Sequence, residues 1–232
     1  MKSSYELTEN EFELLLKKAE KKYHSPMERY ILRKSLTVVY NSFEHHNRIF
    51  ACRADLRFAE DRVSDDPDSL VCYQRVDPQA ITRCIESLKS QLREDHRRSG
   101  RHGKPTLPAY VWARERDTSE HPHYHLMLLF NRNVYGYLGN YTNRNADNMA
   151  TRIQKAWCSA VGLNYPYQAT LAHFPKNQSF KLNRGDALTR SAVYEDFLLR
   201  LAYLAKENTK DVHDGYRNFG TSLLKQAVVT TE

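Results

Sequence analysis

The stretch Tyr124–Phe130 (YHLMLLF) is apolar on both sides of a two-residue repeat. Side chains alternate along a strand, so Leu126, Leu128 and Phe130 face one way and Met127 and Leu129 the other. Such a strand belongs inside a sheet, with helices covering at least one face. The same run opens with His123-Tyr124-His125, which puts two imidazoles on one face of that strand. Glu115 lies eight positions upstream. If Tyr110–Arg116 and Pro122–Phe130 pair as a hairpin, with a turn at Thr118-Ser119-Glu120, Glu115 falls opposite His123. His123, His125 and Glu115 then form a three-ligand metal site with open positions, suited to polarising a substrate oxygen. His121-x-His123 has the same spacing, so the register is not unique.

Elsewhere the periodicity is helical at both ends and strand-like between. Thr8-x-x-Glu11 is a capping-box pattern, and Phe12, Leu15, Leu16 and Ala19 follow at helical spacing, predicting a helix over 9–22. Ser25-Pro26-Met27-Glu28 reads as a second helix start, continuing to about His46. These helices predict an N-terminal extension over 1–47, ahead of a domain over 48–232. In Ile49–Phe58 apolar residues alternate with Arg53, Asp55 and Arg57, a strand whose polar face is either solvated or functional. Glu60–Asp68 reads as a loop, and Asp77-Pro78 opens a helix through Ile81, Ile85, Leu88 and Leu92 into the basic loop Arg93–Lys104. A helix over Asn145–Val161 ends at Gly162. Gln168–Phe174 and Ser179–Leu182 read as short strands, and Ser191–Glu207 as an amphipathic helix. The expected architecture is α+β: an antiparallel sheet of about five strands with helices packed on it.

A net charge of +7 favours a polyanionic partner. The four cysteines, at 52, 72, 84 and 158, form no C-x-x-C pair, which argues against a zinc ribbon or a disulfide framework. No apolar run is long enough to span a bilayer and no signal-peptide pattern is present, so a cytoplasmic, membrane-free protein is expected. No phosphate-binding G-x-x-x-x-G-K-[ST] loop occurs, so no motor is expected.

Tyr203 and Lys206 sit three apart in the last predicted helix, hence on one face. A protonated phenol is a poor nucleophile, and a nearby ammonium would help it attack; a boundary aromatic beside a surface charge fits the same pattern. Arg97, Arg98, Arg101 and Lys104 in the basic loop, with Arg114 and Arg116 beside the hairpin, are candidates to track backbone phosphates. Arg53, Arg57 and Arg217 join that set.

Three stretches, in order, carry a resemblance: FACRADLRF (Phe50–Phe58), HPHYHLMLLF (His121–Phe130) and YLAKENTKDVHDGYRNFGTS (Tyr203–Ser222). Together they resemble the HUH endonuclease superfamily of rolling-circle replication initiators and relaxases, most of all the inovirus gene-2-like replication proteins of phages, prophages and satellite elements. The resemblance implies an HUH/Rep-like core related to ferredoxin and RRM folds, with Mn²⁺ or Mg²⁺ on His123, His125 and Glu115. It implies that Tyr203, helped by Lys206, nicks single-stranded or hairpin origin DNA through a 5′-phosphotyrosine and rejoins it, starting rolling-circle replication with a helicase supplied by the host or by another chain. Position 207 is Glu, so the chain resembles the single-tyrosine class. Three alternatives remain open: a non-catalytic DNA-binding regulator on this fold, a metal-dependent hydrolase in which Tyr203 is incidental, and a relaxase or single-strand transposase of the same superfamily.

Overall fold

The strand with two apolar faces lies in the middle of the sheet. It is β3 (His123–Asn131), flanked by β1 (Arg48–Leu56) and β2 (Ala109–Glu115), in a computed structural model that describes residues 5–60, 74–116, 121–207 and 215–222. β6 (Phe219–Thr221) extends the β2 edge. The outer edge of β1 is shared by β4 (Ala172–His173) at Asp55–Leu56 and by β5 (Ser179–Asn183) over Arg48–Cys52. All pairings are antiparallel. The fold is therefore α+β with a six-stranded antiparallel sheet, one strand more than the five predicted. The additional strand is β6, whose three residues carry no readable period.

Helices cover both faces. On one, Ile49, Ala51, Val111, Ala113, Met127 and Leu129 pack with α1 (Glu9–Tyr23), α2 (Arg29–His45) and α6 (Ala192–Ala202). On the other, Phe50, Cys52, Leu56, Leu126, Leu128 and Phe130 pack with α3 (Ala80–Arg98) and α4 (Met149–Val161). Burying one such large apolar side chain contributes about 1.5–3 kcal/mol, so neither cover is dispensable. The helices expected as an extension over 1–47 are thus one wall of the core. Phe12, Leu16, Leu32 and Phe43 share a cluster with Phe197, Leu201 and the sheet.

Several boundaries differ from expectation, each for a local reason. The Thr8–Glu11 capping box and the Gly162 cap form as predicted. α2 starts at Arg29, because Met27 bridges Lys206 and holds the preceding residues extended; Glu28 rather than Ser25 is its N-cap, and the Ser25 hydroxyl donates to Pro26 O. α3 continues to Arg98, so the basic loop begins only after it. In Gln168–Phe174 a 3-10 turn, Ala169–Leu171, takes up the first half and leaves a two-residue strand. α5 (Arg184–Thr189), capped by Asn183, was not anticipated. The last long helix stops at Ala202. Tyr203–Ala205 is a 3-10 turn, and Lys206 is extended (φ −59°, ψ 129°). The turn at Thr118–Glu120, Cys72 and most of the Glu60–Asp68 loop lie outside the described residues. Among the described residues no helix is long and apolar enough to cross a membrane.

Candidate metal centre

The β2–β3 register sets Glu115 opposite His123 and Ala113 opposite His125. Glu115, His123 and His125 therefore emerge together on the sheet face covered by α1, α2 and α6, just past the end of the apolar core. Each offers one ligand atom, and the three atoms lie within 4.8 Å of one another. Glu115 Oε2 is 3.2 Å from His125 Nε2 and 4.0 Å from His123 Nε2. The 3.2 Å approach is off the line of an imidazole hydrogen bond, and His125 Nε2 is buried with no hydrogen-bond partner. A buried nitrogen in that state is costly unless something completes it. Two imidazoles and a carboxylate converging on one point suit a divalent cation such as Mn²⁺, Mg²⁺ or Zn²⁺. Burial, reinforced by the nearby His125, pulls the His123 pKa down to about 4 against the attraction of Glu115, so its ring is neutral near pH 7 and its lone pair is available.

Behind the cluster, β1 supplies a support that sequence reasoning missed. Asp55 pairs across the ladder with His125, and His125 Nδ1–H donates to Asp55 Oδ1 at 2.7 Å. Arg53 Nη2 also approaches this Nδ1, at 2.9 Å, but the shorter contact to an ionised, acceptor-only carboxylate favours the proton on Nδ1 and leaves the Nε2 lone pair toward the cluster. Arg53 grips the same carboxylate, with Nε at 2.8 Å and Nη2 at 3.2 Å. Burial acts to raise the Asp55 pKa, but the His125 hydrogen bond and the Arg53 charge outweigh it and hold the carboxyl well below its usual range. The available signal was Arg53-x-Asp55 on the otherwise apolar inner face of a strand.

Tyr203 meets the same group of residues. Its ring is edge-to-face with His125, with centroids 5.0 Å apart, and the Arg53 guanidinium lies over it at 4.1 Å. Lys206 has left the helix, yet its Nζ comes to 5.4 Å from the Tyr203 ring centre. Tyr203 is half-buried, and His123 forms the more accessible side of the cluster. Tyr194 is fully buried packing.

The predicted phosphate contacts divide. Arg57 and Arg116 are exposed, just past the ends of β1 and β2 beside the cluster. Arg53 and Arg114 are only 3% and 4% exposed, so neither is a surface contact; Arg53 serves Asp55, and Arg114 reaches Asn218 Oδ1 at 3.4 Å. Arg97 and Arg98 are both held by Glu94, and Arg101 by Asp95. α3, which carries the first two, packs on the opposite sheet face from the cluster. Lys104 is exposed beyond it, and Arg217 lines an open groove with Trp112, Tyr216 and Arg83.

Fold and site together define an α+β protein whose antiparallel sheet carries a His/His/Glu cluster with a tyrosine against it. The chain belongs to the YagK/YfjJ C-terminal domain family, whose model matches residues 8–222. It is 35% identical to the uncharacterized protein YagK of Escherichia coli strain K12 over 181 residues, covering 77% of this chain and 85% of YagK. It is also 35% identical to the uncharacterized protein YfjJ of the same strain over 190 residues, covering 80% of this chain and 89% of YfjJ. No solved structure matches the chain significantly. The family match runs from the cap of α1 to just past β6, so the N-terminal helices and the cluster fall within one family unit.

Proposed function

We propose that this chain is a metal-dependent, single-strand DNA nickase and rejoining enzyme that acts through Tyr203 and starts rolling-circle replication of a phage, prophage or satellite element. The observation that carries the reading is the packing of the Tyr203 ring against His125, on the sheet face where Glu115 and His123 converge. The likeness of the three stretches to HUH initiators supports the same choice. With Mn²⁺ or Mg²⁺ bound, the cluster would supply the positive charge that polarises a scissile phosphate.

The remaining work falls to side chains. Tyr203 Oη attacks phosphorus, forming an O–P bond as the P–O3′ bond breaks. The phenolic proton is lost and the departing 3′ oxygen gains one. The strand end is left as a 5′-phosphotyrosine beside a free 3′-hydroxyl, and because the ester is conserved the step can run backwards to rejoin the strand. The Arg53 guanidinium, stacked on the ring, favours the charge that builds on the phenol as it attacks. Lys206 lends a second cation near the same ring. Asp55 holds His125 in the ligating tautomer. Arg57 and Arg116 flank the cluster and are placed to neutralise neighbouring phosphates, which positions a strand without reading its sequence. Single-stranded or hairpin origin DNA is the substrate, the cytoplasm of a bacterial host is the compartment, and unwinding falls to a host helicase.

Incubation with circular single-stranded DNA and Mn²⁺ tests the reading. A protein–DNA band that survives denaturation, and disappears with chelator or in Tyr203→Phe, is the expected result. Cleavage without a covalent band would favour a hydrolase, and DNA binding with neither would favour a regulator.

A further inference from the structure

The segment packed against the turn that carries Tyr203 comes from the other end of the chain. α1 ends at Tyr23, His24 turns the backbone in the left-handed region (φ 49°), and α2 begins at Arg29. The corner between them lies alongside residues 205–207. Glu28 N–H donates to Ala205 O at 2.7 Å, and Glu207 N–H donates to Pro26 O at 3.0 Å. Met27, itself buried, forms the bridge to Lys206 between those two bonds. Tyr23 closes the arrangement. Its hydroxyl donates to Leu199 O at 2.8 Å, inside α6, and its ring stands perpendicular to the Tyr203 ring with centroids 5.1 Å apart.

A continued α6 would bond Glu207 N–H to Tyr203 O within the helix, whereas here Lys206 is extended and Glu207 N–H goes to Pro26 O. Backbone groups that a continued helix would use internally are bonded to Pro26 and Glu28 instead. The phenol is thus caged by Arg53 on its face, by His125 and Tyr23 at edge-to-face angles, and by a turn whose exit is tied down.

We infer that the α1–α2 corner is part of the cleavage site, and that Tyr23 and the Pro26–Glu28 backbone are positioning groups for the Tyr203 nucleophile. This rests on the proposed function. The corner touches none of the three candidate ligands through these contacts, so disturbing it separates the aim of the phenol from the ability to hold a cation. A displacement of order 1 Å at a nucleophile costs roughly 10²-fold in rate.

Two substitutions test this in the full chain. Glu28→Pro removes the N–H that bonds Ala205, together with the Glu28 carboxylate, and fits the backbone: φ at Glu28 is already −66°, Met27 is already extended, and the residue 28 carbonyl still accepts from Leu32; Glu28→Ala, which loses the carboxylate but keeps the N–H, is the control. Tyr23→Leu removes the ring edge and its hydroxyl. Both should slow covalent-adduct formation roughly 10²-fold, while Mn²⁺ affinity by calorimetry stays within about twofold of wild type. In Glu28→Pro, amide exchange at Lys206 and Glu207 should quicken roughly tenfold as the exit loosens. Adduct rates unchanged in both variants would overturn the inference and leave the nickase reading standing. Mn²⁺ affinity falling in step with the rate would also overturn it, reducing the corner to a general structural support. A wild-type chain that binds Mn²⁺ but forms no adduct removes the proposed function, and the role of the corner with it.

Discussion

Asp55→Asn isolates the support behind the metal cluster. The amide keeps the shape and an oxygen able to accept from His125 Nδ1, but it removes the charge that Arg53 grips at 2.8 and 3.2 Å. Both partners are buried, at 3% and 7% exposure. Removing one member of a buried ion pair leaves the other uncompensated and costs about 3–5 kcal/mol. Loss of an outer partner to a ligating imidazole lowers metal affinity by about 10–100-fold. At about 1.4 kcal/mol per tenfold, this is a further ~1.4–2.8 kcal/mol, felt only in binding. Urea unfolding of metal-free protein reads the first term, and Mn²⁺ calorimetry near pH 7 reads the second. The double variant Arg53→Met/Asp55→Leu separates them: with both charges gone, the cost of the uncompensated charge disappears, leaving only the ~1–3 kcal/mol of the unsatisfied His125 Nδ1–H. Mn²⁺ affinity should stay low, because nothing accepts from Nδ1. An Asp55→Asn protein with unfolding free energy within about 1 kcal/mol of wild type and undiminished Mn²⁺ affinity would show that this pair neither bears a buried charge nor orients His125.

The other predictions are more local. Tyr203→Phe should bind Mn²⁺ as wild type does by calorimetry, whereas Glu115→Gln should lose most of that binding. Glu11 is held at about pKa 2, chiefly by the hydrogen bond from Arg190 against the opposing effect of burial. Its contribution to stability is therefore complete above its ordinary value of 4.5 and is lost as pH falls from there toward about 2; Glu11→Gln should flatten urea stability over that window. In metal-free protein His123 resists protonation down to about pH 4, whereas the unfolded chain takes up the proton near 6.5, so stability should decline between those values as pH falls. His123→Gln should remove that decline. Gly220→Ala would bring a methyl to 2.5 Å from the Trp112 ring, so β6 should detach or shift at a cost of about 1–3 kcal/mol, read as a lower melting temperature. A chain lacking residues 1–47 should expose Met127, Leu129 and Val111 and bind a hydrophobic dye; a soluble fragment with native circular dichroism would contradict the single-core reading.

The most legible parts were those written in short-range pattern. The apolar residues on both sides of Tyr124–Phe130 marked a central strand with helices on at least one face; that both faces are covered shows only in the packing. Glu115 opposite His123 followed from counting residues around a hairpin. What resisted reading depends on partners remote in sequence. Nothing near Ser25 or Tyr203 says that residues 26–28 and 205–207 bond to each other, so one helix was started too early and the other ended too late. β6 is three residues defined by the edge of β2. Arg53 was read as a phosphate contact because it alternates onto a polar face. Only the pairing of Asp55 with His125 shows that this face is the inside of a site. Likewise Tyr23 is an ordinary helix-end aromatic until α6 is placed beside it.

The most direct test of the central claim is to map the covalent product. An oligonucleotide labelled separately at its two ends is incubated with the protein and Mn²⁺, and the adduct is digested and sequenced by mass spectrometry. The expected product is a single nucleotide-bearing peptide modified at Tyr203 and joined to the fragment carrying the new 5′ end, with a free 3′-hydroxyl on the other fragment. Attachment at another residue, attachment through a 3′-phosphate, or cut DNA with no attached peptide would contradict it.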